Sequence, residues 1–392
     1  KGRQKAHMIL AHKIALEPTV KQRIAFARAT GVARFTWNWA LAEYERQHKA
    51  GEKPTALKLK KQWNGIKGEQ FPWVYESPKG ANQQVFSNLG KAFSGFFKKK
   101  VKYPRFKRKG EHDAFYVEND KFRVSDKIVT LPKIGSVRLR ENLRFNGKIM
   151  GAVVSRTADR WFISIQVDVG ELKCLHFGED VVGVDLGVKT AVTLSTGEKL
   201  QGPKPLKKAI RKVRRYSRIV SRRKKGSRRR EKAKRRLARL HYRTSNIRQD
   251  FLHKLTTRLC RENQTIVIED LNVRGMMKNH HLARSVSDIG FFEFRRQLEY
   301  KSPMYDVRLV IADRWFSSSK TCSGCGQVKT HLALSEREYE CIPCGLVIDR
   351  DVNAAINLCT LGLRGNYAQG EATAASNLVE LRTKPCTFVY TS

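Results

Sequence analysis

Four cysteines in two closely spaced pairs are the most specific chemical signal in this sequence. Cys322 and Cys325 form the first pair, and Cys341 and Cys344 form the second. Two Cys-x-x-Cys pairs can supply four thiolates that complete a tetrahedral Zn²⁺ shell, which leaves no position open for a substrate. We therefore expect a structural zinc site. The other four cysteines are scattered, so the pattern favours metal binding in a reducing compartment over a disulfide framework.

Three carboxylates form a second group of candidate ligands. Asp185 lies in the apolar run VVGVDLG, beside Gly183 and Gly187, which leave room next to it. Glu269 ends the apolar run QTIVIED, and Asp351 begins a helical segment just after the second cysteine pair. A buried carboxylate is costly unless it binds a metal or pairs with a cation.

Two of the three carboxylates also have an ordinary interpretation. Asp351 alone could be a helix N-cap, and Glu269 alone could be a salt-bridge partner at a strand end. On neighbouring elements of one sheet, however, the three could hold two Mg²⁺ ions about 4 Å apart. Such ions would activate water and stabilise the leaving oxygen of a phosphodiester.

The elements that must position these residues differ between the two halves of the chain. In the first half, alternation predicts a strand over 7–16, and a spacing of three or four predicts helices. Short alternating runs over 114–168 predict a small β-barrel or sandwich. The predicted helices cover 20–48, with an apolar stripe of Ile24, Ala27, Val32, Phe35, Trp39 and Ala42, then 56–65 and 82–99.

In the second half, a continuous apolar run indicates a central strand at 181–187, and the hairpin after it is typical of a ribonuclease-H-like fold. Further strands are expected at 264–270 and 307–313. Helices are expected at 293–302 and at 351–361, on either side of the cysteine pairs. A polar tail follows from residue 365.

Charge indicates the partner. There are 78 Lys+Arg against 36 Asp+Glu, so the formal net charge is +42. Such an excess is normally neutralised by a polyanion, and nucleic acid is the usual one. No run of 18 apolar residues occurs, so no membrane span is expected, and we find no secretory signal. We expect a cytoplasmic protein.

Two segments concentrate this charge. Residues 204–248 hold 22 Lys or Arg against one acidic residue, Glu231, and predict a long cationic helix or helical hairpin. Its candidate nucleic-acid contacts are Arg222, Arg223 and Arg229. Residues 98–109 interleave aromatic and basic side chains, so Tyr103, Arg105 and Lys107 could stack on bases and neutralise phosphate. A solvated basic loop explains this second segment equally well.

The sequence resembles the TnpB family of transposon-encoded proteins over nearly its whole length. GVDLG, VIEDLNVRGM, RWFSSSKTCSGCG and CIPCGLVIDRDVNAAIN stand in the order of that family's RuvC and zinc-finger motifs. In the N-terminal half, GVARFTWNWAL, ANQQVFSNLGKAFSGFF and YPRFKRKG are also similar to it.

The resemblance implies a multidomain α/β protein with a RuvC (ribonuclease-H-like) nuclease domain over 179–317 and 347–364. A Cys₄ zinc finger would be inserted over 318–346. A β-barrel wedge domain over 1–18 and 100–178, a helical recognition domain over 19–99 and a tail over 365–392 would complete the chain.

The resemblance also implies an activity. Members of the family bind an RNA from the transposon end that guides cleavage of double-stranded DNA next to a short adjacent motif. The resemblance implies that the catalytic residues that bind Mg²⁺ are Asp185, Glu269 and Asp351, and that Asp349 is a weaker candidate. Lys79 and Gln83 match positions that contact the adjacent motif, and Gly80 departs from a bulkier residue in some members.

Three alternatives stay open on the sequence. A compact type V CRISPR effector shares the RuvC and zinc arrangement. A nuclease-dead, RNA-guided repressor would lack a carboxylate, whereas all three are present here. A cut-and-paste DDE transposase would use three carboxylates and Mg²⁺ without RNA. In each case we expect a prokaryotic protein that is nucleoid-associated when on DNA; the sequence leaves monomer and dimer undecided.

Overall fold

The computed structural model describes residues 8–170, 178, 180–333 and 335–367. Cys174, Cys386 and nearly all of the predicted polar tail lie outside these residues. The chain has a mixed α/β fold and forms two compact units. The first comprises Lys1–Leu172 and Arg223–Tyr242, and the second comprises Lys173–Arg222 and Arg243–Ser392.

Three helices of the first unit are α1 (Val20–Lys49), α2 (Ala56–Gln70) and α3 (Gly80–Phe97). Helix α1 begins at a capping box, in which the Thr19 hydroxyl accepts from the Gln22 backbone N–H and the Gln22 side chain accepts from the Thr19 N–H. The predicted helices are therefore confirmed, although α2 is longer and α3 begins earlier than expected.

The apolar face predicted for α1 was largely wrong. Of the predicted stripe, Val32 is buried, but Ile24 is 51% exposed and Phe35 is 36% exposed. The buried face instead contains small and polar residues beside its large ones. It comprises Phe26, Ala29, Thr30, Val32, Ala33, Thr36, Trp37, Ala40, Leu41 and Gln47.

Seven strands form one antiparallel sheet in the first unit, in the order β2-β6-β7-β1-β5-β4-β3. Strand β1 pairs with β7 over most of its length and with β5 at Leu16 and Glu17, so it joins the two halves of the sheet. The strands are β1 (Ile9–Glu17), β2 (Ala114–Glu118), β3 (Arg123–Ser125), β4 (Ile128–Leu131), β5 (Gly135–Leu139), β6 (Lys148–Thr157) and β7 (Arg160–Asp168).

The second unit is built on a five-stranded sheet in the order β10-β9-β8-β11-β12. Strands β8, β9 and β10 pair antiparallel, whereas β11 runs parallel to both β8 and β12. Val182, Val184, Ile266 and Ile268 are buried in its core. The strands are β8 (Val181–Asp185), β9 (Val192–Leu194), β10 (Lys199–Leu200), β11 (Thr265–Glu269) and β12 (Arg308–Ala312).

Six further α-helices and a small hairpin lie among the described residues, and two short 3₁₀ helices lie at Pro72–Glu76 and Asn119–Lys121. The predicted cationic segment forms α4 (Pro205–Arg222) and the first part of α5 (Arg228–Glu262), separated by a turn at Gly226. The others are α6 (Val273–Met276), α7 (Ala283–Ile289), α8 (Phe291–Tyr305) and α9 (Arg350–Tyr367), with β13 (Glu338–Glu340) and β14 (Val347–Asp349) forming the hairpin.

Helix α9 continues past residue 361, where the sequence analysis ended it. Among the described residues, no helix combines the length and the apolar character needed to cross a bilayer.

Candidate metal centres and nucleic-acid interface

The four paired cysteines converge as predicted. The Cys322 and Cys344 sulfurs are 3.6 Å apart, those of Cys325 and Cys341 are 3.5 Å apart, and all four lie within 4.8 Å of one another. Zn–S bonds of about 2.3 Å in a tetrahedron require sulfur separations of about 3.8 Å. The cluster could therefore bind zinc with little rearrangement.

The turns of this cysteine module explain its glycines. Gly326 (φ +81°) and Gly345 (φ +70°) adopt the left-handed conformation, and their N–H groups donate to the carbonyls of Cys322 and Cys341. Beside the sulfurs, Tyr339 is fully buried and its hydroxyl donates to the Lys320 carbonyl at 3.0 Å. The core of the module is small: among its described residues, the buried apolar ones are Cys322, Leu332, Tyr339 and Cys341, and the polar Ser318 is buried as well.

Two of the three candidate carboxylates lie side by side at the end of the parallel strands. Ile268 of β11 is in register with Val184 of β8, and Glu269 and Asp185 follow directly on their strands. Residues at equivalent positions on neighbouring strands point to the same face of a sheet. Asp185 and Glu269 therefore share a face, which they also share with Gly183 and Val267 two residues earlier.

Helix α9 covers that face and carries the third carboxylate. It packs so closely on β8 that a Cβ on Gly183 would lie 1.9 Å from the Ala355 carbonyl oxygen. Asp351 lies one helical turn before Ala355 and hence on the same side of α9. All three carboxylates are thus directed towards one region between the sheet and α9. Gly183, expected to leave room for Asp185, instead makes room for the helix.

Asp349, rather than Asp351, caps α9. Its Oδ1 accepts from the backbone N–H groups of Asp351 (3.1 Å) and Val352 (3.2 Å), and its Oδ2 pairs with Lys199 Nζ at 2.6 Å. Burial alone would raise the pKa of Asp349, but these contacts lower it. The capping role left open for Asp351 therefore belongs to its neighbour.

The electrostatics of Asp185 are those of a crowded carboxylate. Burial, followed by repulsion from Glu269 and Asp351, raises its pKa from 3.8 to about 8. Among the described residues, only the cysteines bring three or more ligand atoms within 4.8 Å of one another. The carboxylates are therefore close enough to repel one another but are more widely spaced than a metal-ligand cluster.

Ser318, Asn353 and Asn357 surround this region and were missed by the sequence analysis. The buried Ser318 hydroxyl donates to Glu269 Oε1 at 2.5 Å, and Asn357 Nδ2 donates to the Ser318 carbonyl at 2.8 Å. Both asparagines lie on α9 four residues apart, and both are buried. That spacing of buried amides was the one available signal, because helical neighbours at this spacing share a face.

The candidate contacts at the start of α3 are only partly available. Lys79 is exposed, whereas Gln83 is half-buried and its amide donates to the side chains of Asn64 and Asn82. A Cβ on Gly80 would lie 2.6 Å from the Tyr116 carbonyl oxygen. In this chain the glycine is therefore required by the packing of α3 on β2.

The segment around Tyr103 is fixed through its backbone. Trp37 Nε1 donates to the Arg105 carbonyl at 2.9 Å, and the Asn38 side chain bonds both the N–H and the carbonyl of Lys107. The Tyr103 ring packs edge-on against Phe96, and the Lys107 ammonium lies 4.1 Å from the Trp37 ring centroid. The Arg105 side chain stays exposed.

The cationic helices are open to solvent. Only Pro205 is buried on α4, and Arg222, Arg223 and Arg229 are all exposed. Arg223 Nη1 donates to the Arg229 carbonyl at 2.5 Å across the Gly226 turn. These surfaces match the predicted cationic faces.

Several known protein families and individual proteins are similar to this chain. Residues 164–280 match the OrfB_IS605 family, described as "Probable transposase", residues 291–358 match "Cas12f1-like, TNB domain", and residues 8–53 match "Helix-turn-helix domain". A Streptomyces pristinaespiralis protein named "Putative RNA-guided DNA endonuclease" is 40% identical over 90% of this chain and 89% of its own length. "Putative RNA-guided DNA endonuclease InsQ" of Escherichia coli is 33% identical over 90% and 92%.

Among solved structures, a Cas12f1 protein in complex with sgRNA and target DNA has a similar fold. The TM-score is 0.56 at 12% identity, over 90% of this chain and 99% of that one. At this identity the likeness concerns the fold alone.

Proposed function

The chain belongs to the TnpB family, and on that premise we propose that it is an RNA-guided endonuclease. It cleaves double-stranded DNA next to a short transposon-adjacent motif, by hydrolysis at a RuvC-type site formed by Asp185, Glu269 and Asp351. One observation carries this proposal: three carboxylates from β8, β11 and α9 face one region beside the sheet. The relatives named as RNA-guided DNA endonucleases support it.

The strand order supports a ribonuclease-H-like nuclease domain. An antiparallel β10-β9-β8 meander followed by two strands parallel to β8 is the arrangement expected of that fold. On this basis the nuclease domain covers 179–317 and 347–364, with the zinc finger inserted at 318–346. The wedge domain (1–18 and 100–178), recognition domain (19–99) and tail (365–392) complete the proposal.

The donor set fits divalent cations. Carboxylate oxygens are the ligands Mg²⁺ prefers, and burial together with Glu269 and Asp351 raises the pKa of Asp185 to about 8 despite the nearby Arg350, so a bound cation would stabilise its ionised form. Two bound Mg²⁺ ions would supply an activated water and stabilise the leaving oxygen. The residues' own contribution is to hold three oxygen donors on fixed elements, while Asp349 keeps α9 in place.

Guide RNA and target DNA are the proposed partners. Base pairing with the guide would supply specificity, while the protein contacts backbone phosphates and the short adjacent motif. The net charge of +42 and the exposed basic side chains of α4 support a long nucleic-acid footprint.

The proposal is tested first by sequencing nucleic acid that copurifies with the protein from cells carrying its native locus. A single defined RNA ending in a variable guide is the expected result. Heterogeneous RNA would contradict the guided mechanism.

The catalytic assignment is tested by cleavage of a plasmid that matches the guide. Asp185→Ala should abolish cleavage and retain RNA and target binding. Asp250→Ala is the matched control, since Asp250 is an exposed residue whose ion pair is with Lys254, four residues along α5. Continued cutting by Asp185→Ala would remove Asp185 from the site.

The family description "Probable transposase" favours a second candidate, a transposase that uses the same carboxylates without RNA. RNase treatment separates the two: an RNA-free preparation stays active only as a transposase. A compact type V CRISPR effector would differ in the origin of its guide, and a nuclease-dead repressor would bind the target without cutting it.

A further inference from the structure

Ser318 makes the closest contact to a candidate catalytic carboxylate. Its side chain is 4% exposed, and its hydroxyl donates to Glu269 Oε1 at 2.5 Å. Hydrogen bonds from a hydroxyl to a carboxylate at this distance are charge-assisted and strongly orienting. The contact joins residues 49 positions apart in sequence, so it depends on how the cysteine module meets β11.

The position of Ser318 is in turn set by α9. Asn357 Nδ2 donates to the carbonyls of Ser318 (2.8 Å) and Thr321 (2.7 Å). Asn353 Nδ2 donates to the Thr321 carbonyl (2.7 Å), and its Oδ1 accepts from the Ser323 N–H (2.9 Å). The two amides therefore hold the backbone on both sides of Cys322.

These bonds form a continuous path from the cysteine cluster to Glu269. Cys322 is a member of the four-sulfur cluster and lies four positions after Ser318. The path runs along α9, the helix that also carries Asp351. The sheet side of α9 includes Ala355, whereas Asn353 and Asn357 face the cysteine module. Helix α9 therefore contacts both the cysteine module and the sheet that carries the carboxylates.

Buried polar groups are normally hydrogen-bonded, so satisfying them is the simplest role for these contacts. That role explains why the asparagine amides are paired. It does not require that the Ser318 hydroxyl be directed at Glu269, since a buried alanine would leave nothing to satisfy at that position.

We propose that Ser318 is a positioning residue that orients Glu269 for divalent-cation binding, and that the cysteine module sets its position through Asn353 and Asn357. The four-cysteine site thereby controls the geometry of the carboxylate site. This inference rests on the proposed function, because it assumes that Glu269 is a metal ligand.

Mn²⁺ binding to the full-length, RNA-free protein tests the inference without relying on activity. Electron paramagnetic resonance measures free Mn²⁺ during titration, and Asp185→Ala supplies the baseline for other sites. Loss of a group that orients a metal ligand costs about 10–100-fold in affinity, so Ser318→Ala should weaken Mn²⁺ binding by about that factor. Zinc content should stay at one per chain.

The exposed Ser317 provides a matched control, because its side chain takes no part in the path. Ser317→Ala should bind Mn²⁺ like the wild type. Equal Mn²⁺ affinity in Ser318→Ala and Ser317→Ala would overturn the positioning role. No Mn²⁺ binding above the Asp185→Ala baseline in the wild type would instead overturn the proposed metal site itself.

A second pair of variants separates the hydroxyl from the packing. Ser318→Thr and Ser318→Val have the same shape and differ only in the hydroxyl. The threonine variant should bind Mn²⁺ more tightly than the valine variant at equal zinc content and melting temperature. Asn357→Leu should also weaken Mn²⁺ binding although Asn357 does not touch Glu269. Equal binding by the Thr and Val variants, or wild-type binding by Asn357→Leu, would contradict the inference.

Discussion

Asp185 and Asp349 show how two aspartates near one helix end acquire opposite properties. Asp349 gains two backbone donors and the Lys199 ammonium, which lower its pKa. Asp185 gains burial and two neighbouring carboxylates, which raise its pKa to about 8. Asp349 thus stabilises the start of α9, whereas the ionised form of Asp185 is disfavoured even with Arg350 nearby, and a bound divalent cation would stabilise it. This is the pattern expected of a metal ligand.

A pH-dependent stability difference follows for Asp185. A carboxyl whose folded-state pKa is raised costs stability as pH rises from its unfolded value near 4 to its folded value near 8. Without added divalent cations, Asp185→Asn should therefore melt at a higher temperature than the wild type, by a margin that grows between pH 5 and pH 8. Differential scanning calorimetry across this range measures it.

Asp250→Asn, at an exposed position, serves as the control. Its melting-temperature difference from the wild type should not grow between pH 5 and pH 8. Mg²⁺ should stabilise the wild type and leave Asp185→Asn nearly unchanged. A constant melting difference at all pH values would contradict the charge repulsion at Asp185.

Helix α9 is the element on which the site depends. It lies directly on β8 because Gly183 has no side chain, and a second close approach occurs where a Cβ on Gly362 would lie 2.5 Å from Val267 Cγ2. These two glycines let the helix and strand backbones approach, and that approach brings Asp351 to the face of Asp185.

Gly183→Ala should consequently displace α9. The added Cβ would meet a backbone oxygen, which cannot rotate away, and overpacking of this kind typically costs about 1–3 kcal/mol or more. Chemical denaturation should show that loss of unfolding free energy, together with strongly reduced cleavage. Gly65→Ala is the control, since nothing lies within 4 Å of its Cβ and it occupies a helix. Near wild-type stability of Gly183→Ala would mean that α9 can shift at little cost.

The cysteine module has a small core, so we expect it to fold stably only with a metal bound to its four cysteines. Four buried apolar residues and one short hairpin bury little apolar surface, so metal binding would supply most of its folding free energy. Cys341→Ser should therefore lose zinc and lower the melting temperature.

Cys359→Ser is the matched control for that variant. Cys359 lies outside the cluster and its thiol donates to the Val181 carbonyl, a bond that serine can keep. Atomic absorption measures zinc and calorimetry measures melting. Full zinc content with an unchanged melting temperature in Cys341→Ser would refute the Cys₄ assignment.

Across the whole molecule, we expect the excess of positive charge to set the salt dependence of the proposed RNA binding. Each neutralised phosphate of a single strand contributes about 0.7 to the slope of log affinity against log salt. Replacing four exposed α4 residues by glutamine should therefore reduce that slope by up to about 3. The four are Lys208, Arg211, Lys212 and Arg215.

A variant with Lys and Arg exchanged at the same four positions keeps the charge and should keep the slope. Filter binding at several salt concentrations compares the two. An unchanged slope in the glutamine variant would show that α4 is a solvated face without phosphate contacts.

The local patterns of the sequence were enough for several parts of this structure. The cysteine spacing predicted the sulfur cluster, the apolar runs predicted β8 and β11, and helical periodicity located α1, α2 and α3. Each of these depends on residues close together in the chain, where spacing alone decides which side chains can meet.

Hydrophobic periodicity did not predict the buried face of α1, because the elements packed against a helix decide which of its residues are buried. On α1 the large residues Ile24 and Phe35 are exposed, while Ala29, Thr30 and Thr36 are buried. Small residues are selected where other elements approach closely, and a hydrophobic pattern read from one helix cannot show where that occurs. The same reason explains Gly80, whose small size is needed against the β2 backbone.

The sequence predicted one part of the carboxylate site, and the tertiary structure decided the rest. From the sequence alone, Asp185, Glu269 and Asp351 were candidates on separate elements, and Glu269 and Asp351 each had an ordinary alternative. Only the tertiary structure decided that they share one face, that Asp349 pairs with Lys199, and that Ser318 bonds Glu269. These relations join residues tens to more than a hundred positions apart. They depend on which backbones can pack closely, and local sequence patterns carry no direct record of that packing.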